Sequence, residues 1–181
     1  MMPPTVRMIA STELEELLPA LVDLLRESVN GGASLGFLPP LTHGECRRYW
    51  QSLRAELRGG SRLLFAAYGS DRLVGSGQLA LPSWPNARHR AELNKLVVAA
   101  ALRGHGIGRR LVQAMHDTAW QRGRTLLLLN ARRGDPAETF YKRLGYREVG
   151  VIPGYSVGSA GEAYDNVAMY RLLRAEGETG A

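Results

Sequence analysis

The chain has 181 residues, 45% of them hydrophobic, a single cysteine and a formal net charge of +6. That size suits one domain with a sizeable core and is too short to argue for two. Cys46 alone excludes an internal disulfide, no apolar run reaches the ~18 residues of a membrane span, and no Cys/His cluster at ligand spacing supports a metal site.

The first residues lack the basic-then-apolar layout of a signal peptide, so a cytoplasmic protein is expected. Its positive charge suits an anionic partner, but the basic residues are dispersed, with local clusters at Arg103/Arg109/Arg110 and Arg132/Arg133. Without helix-turn-helix or zinc-finger spacing, neither nucleic acid nor a membrane is the expected partner. A phosphorylated small molecule fits better.

In chain order, Val6 to Ile9 reads as a strand, and Ser11 or Thr12 as a helix cap, with Glu15 completing a capping box on Thr12. Leu14, Leu17, Leu18, Leu21, Val22, Leu25 and Val29 keep a helical stripe to Gly31-Gly32. Pro19 should split or bend that helix. Thr42 with Glu45 starts a second helix, which Gly59-Gly60 ends. Leu63–Tyr68 and Leu73–Leu81 flank Gly69 to Arg72 as a hairpin with a connection of four residues. Pro82 to Arg90 is loop-like, and Ala91 to Val98 is the next strand. A helix from Ile107 to Ala119, stopped by Gly123, precedes a strand at Leu126–Leu129, and Pro136 opens a short helix ending at Leu144-Gly145. Tyr146–Val151 and Val167–Leu172 are the last strands, on either side of a glycine-rich loop, before a polar tail at 176–181. Strand, glycine turn, helix and strand form a right-handed crossover, so the sheet is mixed, antiparallel first and parallel at its centre.

The stretch from Leu96 to Arg109 carries the chemistry. Gly104, Gly106 and Gly108 follow a strand and open a helix, which lets backbone N–H groups and the helix dipole meet a phosphate or pyrophosphate. A Walker loop needs a Gly-Lys-Ser/Thr ending, absent here, and a dinucleotide fingerprint needs G-x-G-x-x-G on the first βαβ unit, whereas this turn reads G-x-G-x-G after earlier strands. A plain glycine-rich helix start is the remaining alternative.

Read from Arg103 through Gly106 to Gly108, R-x-x-G-x-G resembles the pyrophosphate motif of the GNAT acetyltransferases. Phe140-Tyr141 followed by Leu144-Gly145-Tyr146 is similar to that family's late helix. The order of elements over residues 1–175 also matches, which implies a single α/β (α+β) domain of the GNAT fold, a mixed sheet of about seven strands flanked by about four helices. Asn30 to Phe37 and Ala91 to Leu96 further resemble the tabtoxin-resistance branch. Two departures stand out: Gly134 occupies the place of an asparagine that contacts pantetheine in many members, and Ala100 that of a frequent proline.

The resemblance implies acetyl-CoA as co-substrate and no metal. Leu96, Val97 and Val98 would pair with pantetheine, a Leu96 or Val98 N–H would serve the oxyanion, and Arg103, Gly104, His105, Ile107, Gly108 and Arg109, with Gly106, would hold the pyrophosphate. Of His105 only the backbone is needed. Asn130, at the end of its strand, takes a polar role beside the cofactor. Tyr141 is the expected general acid for the leaving thiolate, although a core tyrosine would look the same in sequence. Glu92 is the expected base, or else an acceptor-binding or solvated strand-end charge; about 13 Å of strand separates it from Leu96, so it would act through water or on a long acceptor. Gly32, Ser34, Phe37, Trp84 and Asn94 are the candidate acceptor-pocket residues, though a helix connection explains the glycines as well. The expected reaction is direct transfer of an acetyl group to a primary amine of a small molecule. A peptide or protein acceptor, or acetyl-CoA binding without turnover, are the alternatives. A homodimer is expected from the family, through Val149 to Tyr155.

Overall fold

A computed structural model describes residues 4–173, and the tail expected at 176–181 lies outside them. The elements are β1 (Thr5–Ile9), α1 (Leu14–Asn30), α2 (His43–Ser52), α3 (Arg54–Gly59), β2 (Arg62–Gly69), β3 (Arg72–Ala80), β4 (Arg90–Val98), α4 (Ile107–Gln121), β5 (Leu126–Arg132), α5 (Pro136–Arg143), β6 (Arg147–Val157) and β7 (Ala163–Leu172). Only Leu53 separates α2 from α3, so the helices form four bodies.

All seven strands share one sheet in the order β1-β2-β3-β4-β5-β7-β6. Every pairing is antiparallel except β4 with β5, which aligns Arg90, Ala91 and Glu92 with Leu126, Leu127 and Leu128. The parallel ladder stops at Glu92, while β5 goes on pairing with β7 as far as Arg132 opposite Asn166. Beyond Glu92 the two central strands therefore part, leaving a fork in the middle of the sheet.

Strand alternation puts an apolar layer on each face. On one side Phe65, Leu79, Ala91, Leu93, Leu127 and Leu129 pack under Leu111, Val112, Met115 and Ala119 of α4. On the other, Ile9, Leu64 and Ala66 pack under Leu14, Leu18, Leu21 and Leu25 of α1 and Trp50 of α2. Each fully buried side chain of this kind contributes roughly 1.5–3 kcal/mol. The Trp50 indole also donates to the Leu21 carbonyl at 3.1 Å, which locks α2 onto α1.

Several local expectations are corrected. The Thr12–Glu15 box does not form; Glu13 instead accepts from the Ala10 amide at 2.7 Å and from Arg7. Pro19 does not divide α1 into two pieces, because the buried face of Leu14, Leu18, Leu21 and Leu25 outweighs the single backbone bond a proline removes. In the β2–β3 hairpin Gly69 pairs with Arg72, so the turn is the two residues Ser70 and Asp71, both at positive φ as a primed turn requires. The final hairpin is longer than expected, running through Pro153 and Gly154 to Val157; β6 is an edge strand, where a missing N–H is tolerated.

Candidate active site

The turn from Arg103 to Gly108 uses its glycines for two different reasons. Gly104 and Gly106 lie at φ +81° and +79°, and a Cβ at either would point into open space. Gly108 is a packing glycine: a Cβ there would sit 3.3 Å from the Phe140 ring. The first backbone bond of α4 runs from the Arg110 amide to the Gly106 carbonyl at 3.1 Å, so the amides from Gly104 to Arg109 precede the helical ladder. Such a row of N–H groups at a helix N-terminus is a ready anion site. The Arg103 guanidinium bonds the Val98 carbonyl at 3.3 Å, and the His105 ring lies 2.9 Å from the Arg103 carbonyl, fixing the turn to the end of β4.

The second feature is a bulge in β4. Ser76 and Gln78 of β3 face Val97 and Asn94, so one extra β4 residue is accommodated there, and Lys95 takes a left-handed conformation at φ +51°. Alternation slips by one across it. Ala91 and Leu93 before the bulge, and Leu96 and Val98 after it, all pack on the α4 face. Glu92, Asn94 and Lys95 are thus delivered together to the opposite face, where they line a groove of ≈ 310 Å³ with Tyr49, Leu53, Arg62 and Ala80.

The groove is tightly braced. Gln78, fully buried, donates to the Tyr49 hydroxyl at 2.9 Å and accepts from Arg62 at 3.2 Å, and Arg62 also pairs with Glu56 at 2.7 Å. Burial raises the Tyr49 phenol above its ordinary range. Phe37 packs edge-on against Tyr49 with centroids 5.1 Å apart, and the Lys95 ammonium sits 5.3 Å from the Phe37 ring centre while donating to the Leu35 carbonyl. Burial, and then the nearby Arg62 charge, lower the Lys95 amine below the usual lysine range.

On the α4 face, α5 brings Phe140 against the phosphate turn and buries Tyr141 in the core cluster that also holds Leu129 and Ala131 of β5. Burial pushes the Tyr141 phenol well up, so it stays protonated at neutral pH. Among the described residues its hydroxyl has no hydrogen-bond partner, while Phe140 and Tyr146 flank its ring at 5.2 and 5.5 Å between centroids.

Residues 60–148 match the family model described as acetyltransferase (GNAT) domain. An uncharacterized N-acetyltransferase of Azospirillum brasilense, from the hisH-hisA intergenic region, is 32% identical over 114 residues, covering 62% of this chain and 66% of that protein. A GCN5-related N-acetyltransferase from Kribbella flavida superposes with a TM-score of 0.75 at 25% identity, covering 94% of this chain and 98% of that one. YncA of Salmonella typhimurium, solved with its cofactor acetyl-CoA, superposes over 99% of each chain with a TM-score of 0.74 at 15% identity, which is likeness of fold.

On this fold the expected residues fall in different places. Leu96, Val97 and Val98 border the fork, and Arg103 to Arg109 form the turn beside it. Glu92 and Asn94 line the groove, and Phe37 closes over its Tyr49 wall. Trp84, by contrast, is 73% exposed in the β3–β4 loop and lines no part of the groove; Gly32 and Ser34 are exposed on the α1–α2 loop. Asn130 is exposed on the β5 face opposite Leu129 and Ala131. The Gly134 amide donates to Glu138 at 2.8 Å and so serves the start of α5.

Tyr49, Arg62, Gln78 and Lys95 were not foreseen. For Lys95 a signal existed, since the apolar residues of the strand change phase across it. Among the described residues no group of three His, Cys, Asp or Glu could hold a metal, and no helix is long and apolar enough to cross a membrane.

Proposed function

We propose that this protein transfers the acetyl group of acetyl-CoA directly to a primary amine of a small molecule. One observation carries the reading: β4 parts from β5 after Glu92 and runs on to a turn whose amides precede the ladder of α4, so one strand edge leads from the groove to an anion site. Arg103 to Arg109 would hold the pyrophosphate, and the open edge of Leu96 to Val98 would pair with the pantetheine arm.

At the fork the two faces of the sheet meet. The amine approaches from the groove, its nitrogen bonds to the thioester carbonyl carbon, and the carbon–sulfur bond breaks. The proton lost by the nitrogen passes to Glu92 through water, and the departing thiolate takes one from Tyr141. A Leu96 or Val98 amide serves the oxygen that gains charge. Burial keeps Tyr141 protonated, the state a donor to the thiolate needs, while making it a weaker acid than a free phenol.

The resemblance to the tabtoxin-resistance branch rests on the segments around Asn30–Phe37 and Ala91–Leu96, and these meet where Lys95 bonds Leu35. A homodimer through edge strand β6 belongs to the same reading, because Val149 and Val157 stand 68% and 56% exposed there; light scattering should give twice the chain mass. The function is tested with a panel of small amines and peptides, following CoA release and product mass. Acetylated small amines are expected; acetylation confined to peptides, or none with any amine, would overturn it.

A further inference from the structure

From the charges of the groove we infer that the acceptor carries a carboxylate as well as its amine, so that the substrate class is an amino acid or a close amino-carboxylate. This inference rests on the function proposed above and names the acceptor of the same site.

The groove presents three charged side chains on one face: Arg62, Glu92 and Lys95. Arg62 is already neutralised by Glu56 at 2.7 Å. Glu92 and Lys95 are not. Among the described residues neither forms an ion pair, with each other or with anything else, although the bulge brings both to the groove. Leaving a partly buried ammonium without a counter-ion is costly, and its aromatic neighbours Phe37 and Tyr49 offset only part of that cost.

A separated acid and base in one apolar-walled groove are the complement of a zwitterion. The carboxylate of such a ligand matches Lys95, and Glu92, equally without a counter-ion, draws the ammonium into the groove and takes its proton through water as the nitrogen turns to the fork. The α1–α2 loop is shaped for this arrangement. A Cβ on Gly36 would meet the Lys95 nitrogen at 3.0 Å, so glycine, at φ +77°, is what lets the loop close over the ammonium. Lys95 spends only one of its three N–H donors on Leu35. The depressed basicity of Lys95 agrees with this reading, since an arriving carboxylate would restore it.

The test compares L-amino acids with the amines that lack only the carboxylate, and with the amino-acid methyl esters, on wild-type protein and on Lys95→Met and Lys95→Arg. Wild-type kcat/KM should favour the free amino acid by about ten- to a hundredfold, as a charge-assisted contact implies. That preference should collapse in Lys95→Met and be largely kept in Lys95→Arg. If Lys95 is only a latch for Leu35, Lys95→Met lowers the melting temperature without changing the preference, and the inference is overturned. Equal rates on amines and amino acids in the wild type overturn it without any variant. Should no amine be acetylated, the function above fails, and calorimetry on CoA-saturated protein still decides: tighter binding of the amino acid than of its decarboxylated amine supports the carboxylate site, and equal binding sinks it.

Discussion

The imidazole of His116, on α4, lies 2.9 Å from the Tyr146 hydroxyl inside the core, where burial and then the Arg171 charge lower its pKa to about 4. Since the unfolded value is 6.5, the unfolded chain binds the extra proton as pH falls below 6.5 while the folded protein does not. Stability should be complete above that value and fall as pH drops towards 4, by on the order of 3 kcal/mol in all. Denaturant midpoints of wild type and His116→Gln across this range check it: the acid slope should flatten in the variant.

A replacement of Gly106 combines two effects, strain at φ +79° and obstruction of the ligand. Gly123, at φ +70° after α4 and equally open around its Cβ, separates them. Gly106→Val and Gly123→Val should lose comparable stability, ~1–2 kcal/mol, but only the first should weaken acetyl-CoA binding strongly in calorimetry. Equal CoA affinity in the two variants would remove the turn from the site.

Tyr141→Phe deletes a hydroxyl that none of the described residues holds, so the fold should tolerate it well. If that hydroxyl protonates the thiolate, kcat should fall by roughly 10²-fold or more with acetyl-CoA affinity nearly unchanged. Steady-state kinetics beside calorimetry separate the two quantities, and a normal kcat would exclude the tyrosine.

Glu92→Gln keeps shape and removes charge. Its kcat/KM deficit should shrink as pH rises, because more of the acceptor amine is then already neutral. A deficit constant across pH would make Glu92 an acceptor-binding residue alone.

Much of this was legible in sequence because it depends on residue type at short range. Gly104 and Gly106 announce left-handed backbone, Pro136 a helix start, and Thr42 with Glu45 a cap that forms as expected, the Thr42 hydroxyl accepting from the Glu45 amide at 3.3 Å. What stayed hidden depends on register and distance. Neither Lys95 nor its neighbours are bulge residues by type; the bulge exists because Val97 and Asn94 are pinned opposite Ser76 and Gln78. Tyr49 and Gln78 meet across 29 positions of sequence, which no local pattern records. Trp84 shows the same limit, since an aromatic in a proline-rich loop reads as a pocket wall from type alone, and its exposed position outside the groove depends on how the loop folds.

In the proposed reaction the amine and acetyl-CoA occupy the β4–β5 fork together. Initial rates measured with both substrates varied should therefore give double-reciprocal lines that intersect, the mark of a ternary complex. Parallel lines, the mark of an acetyl group parked on the protein between two half-reactions, would contradict it.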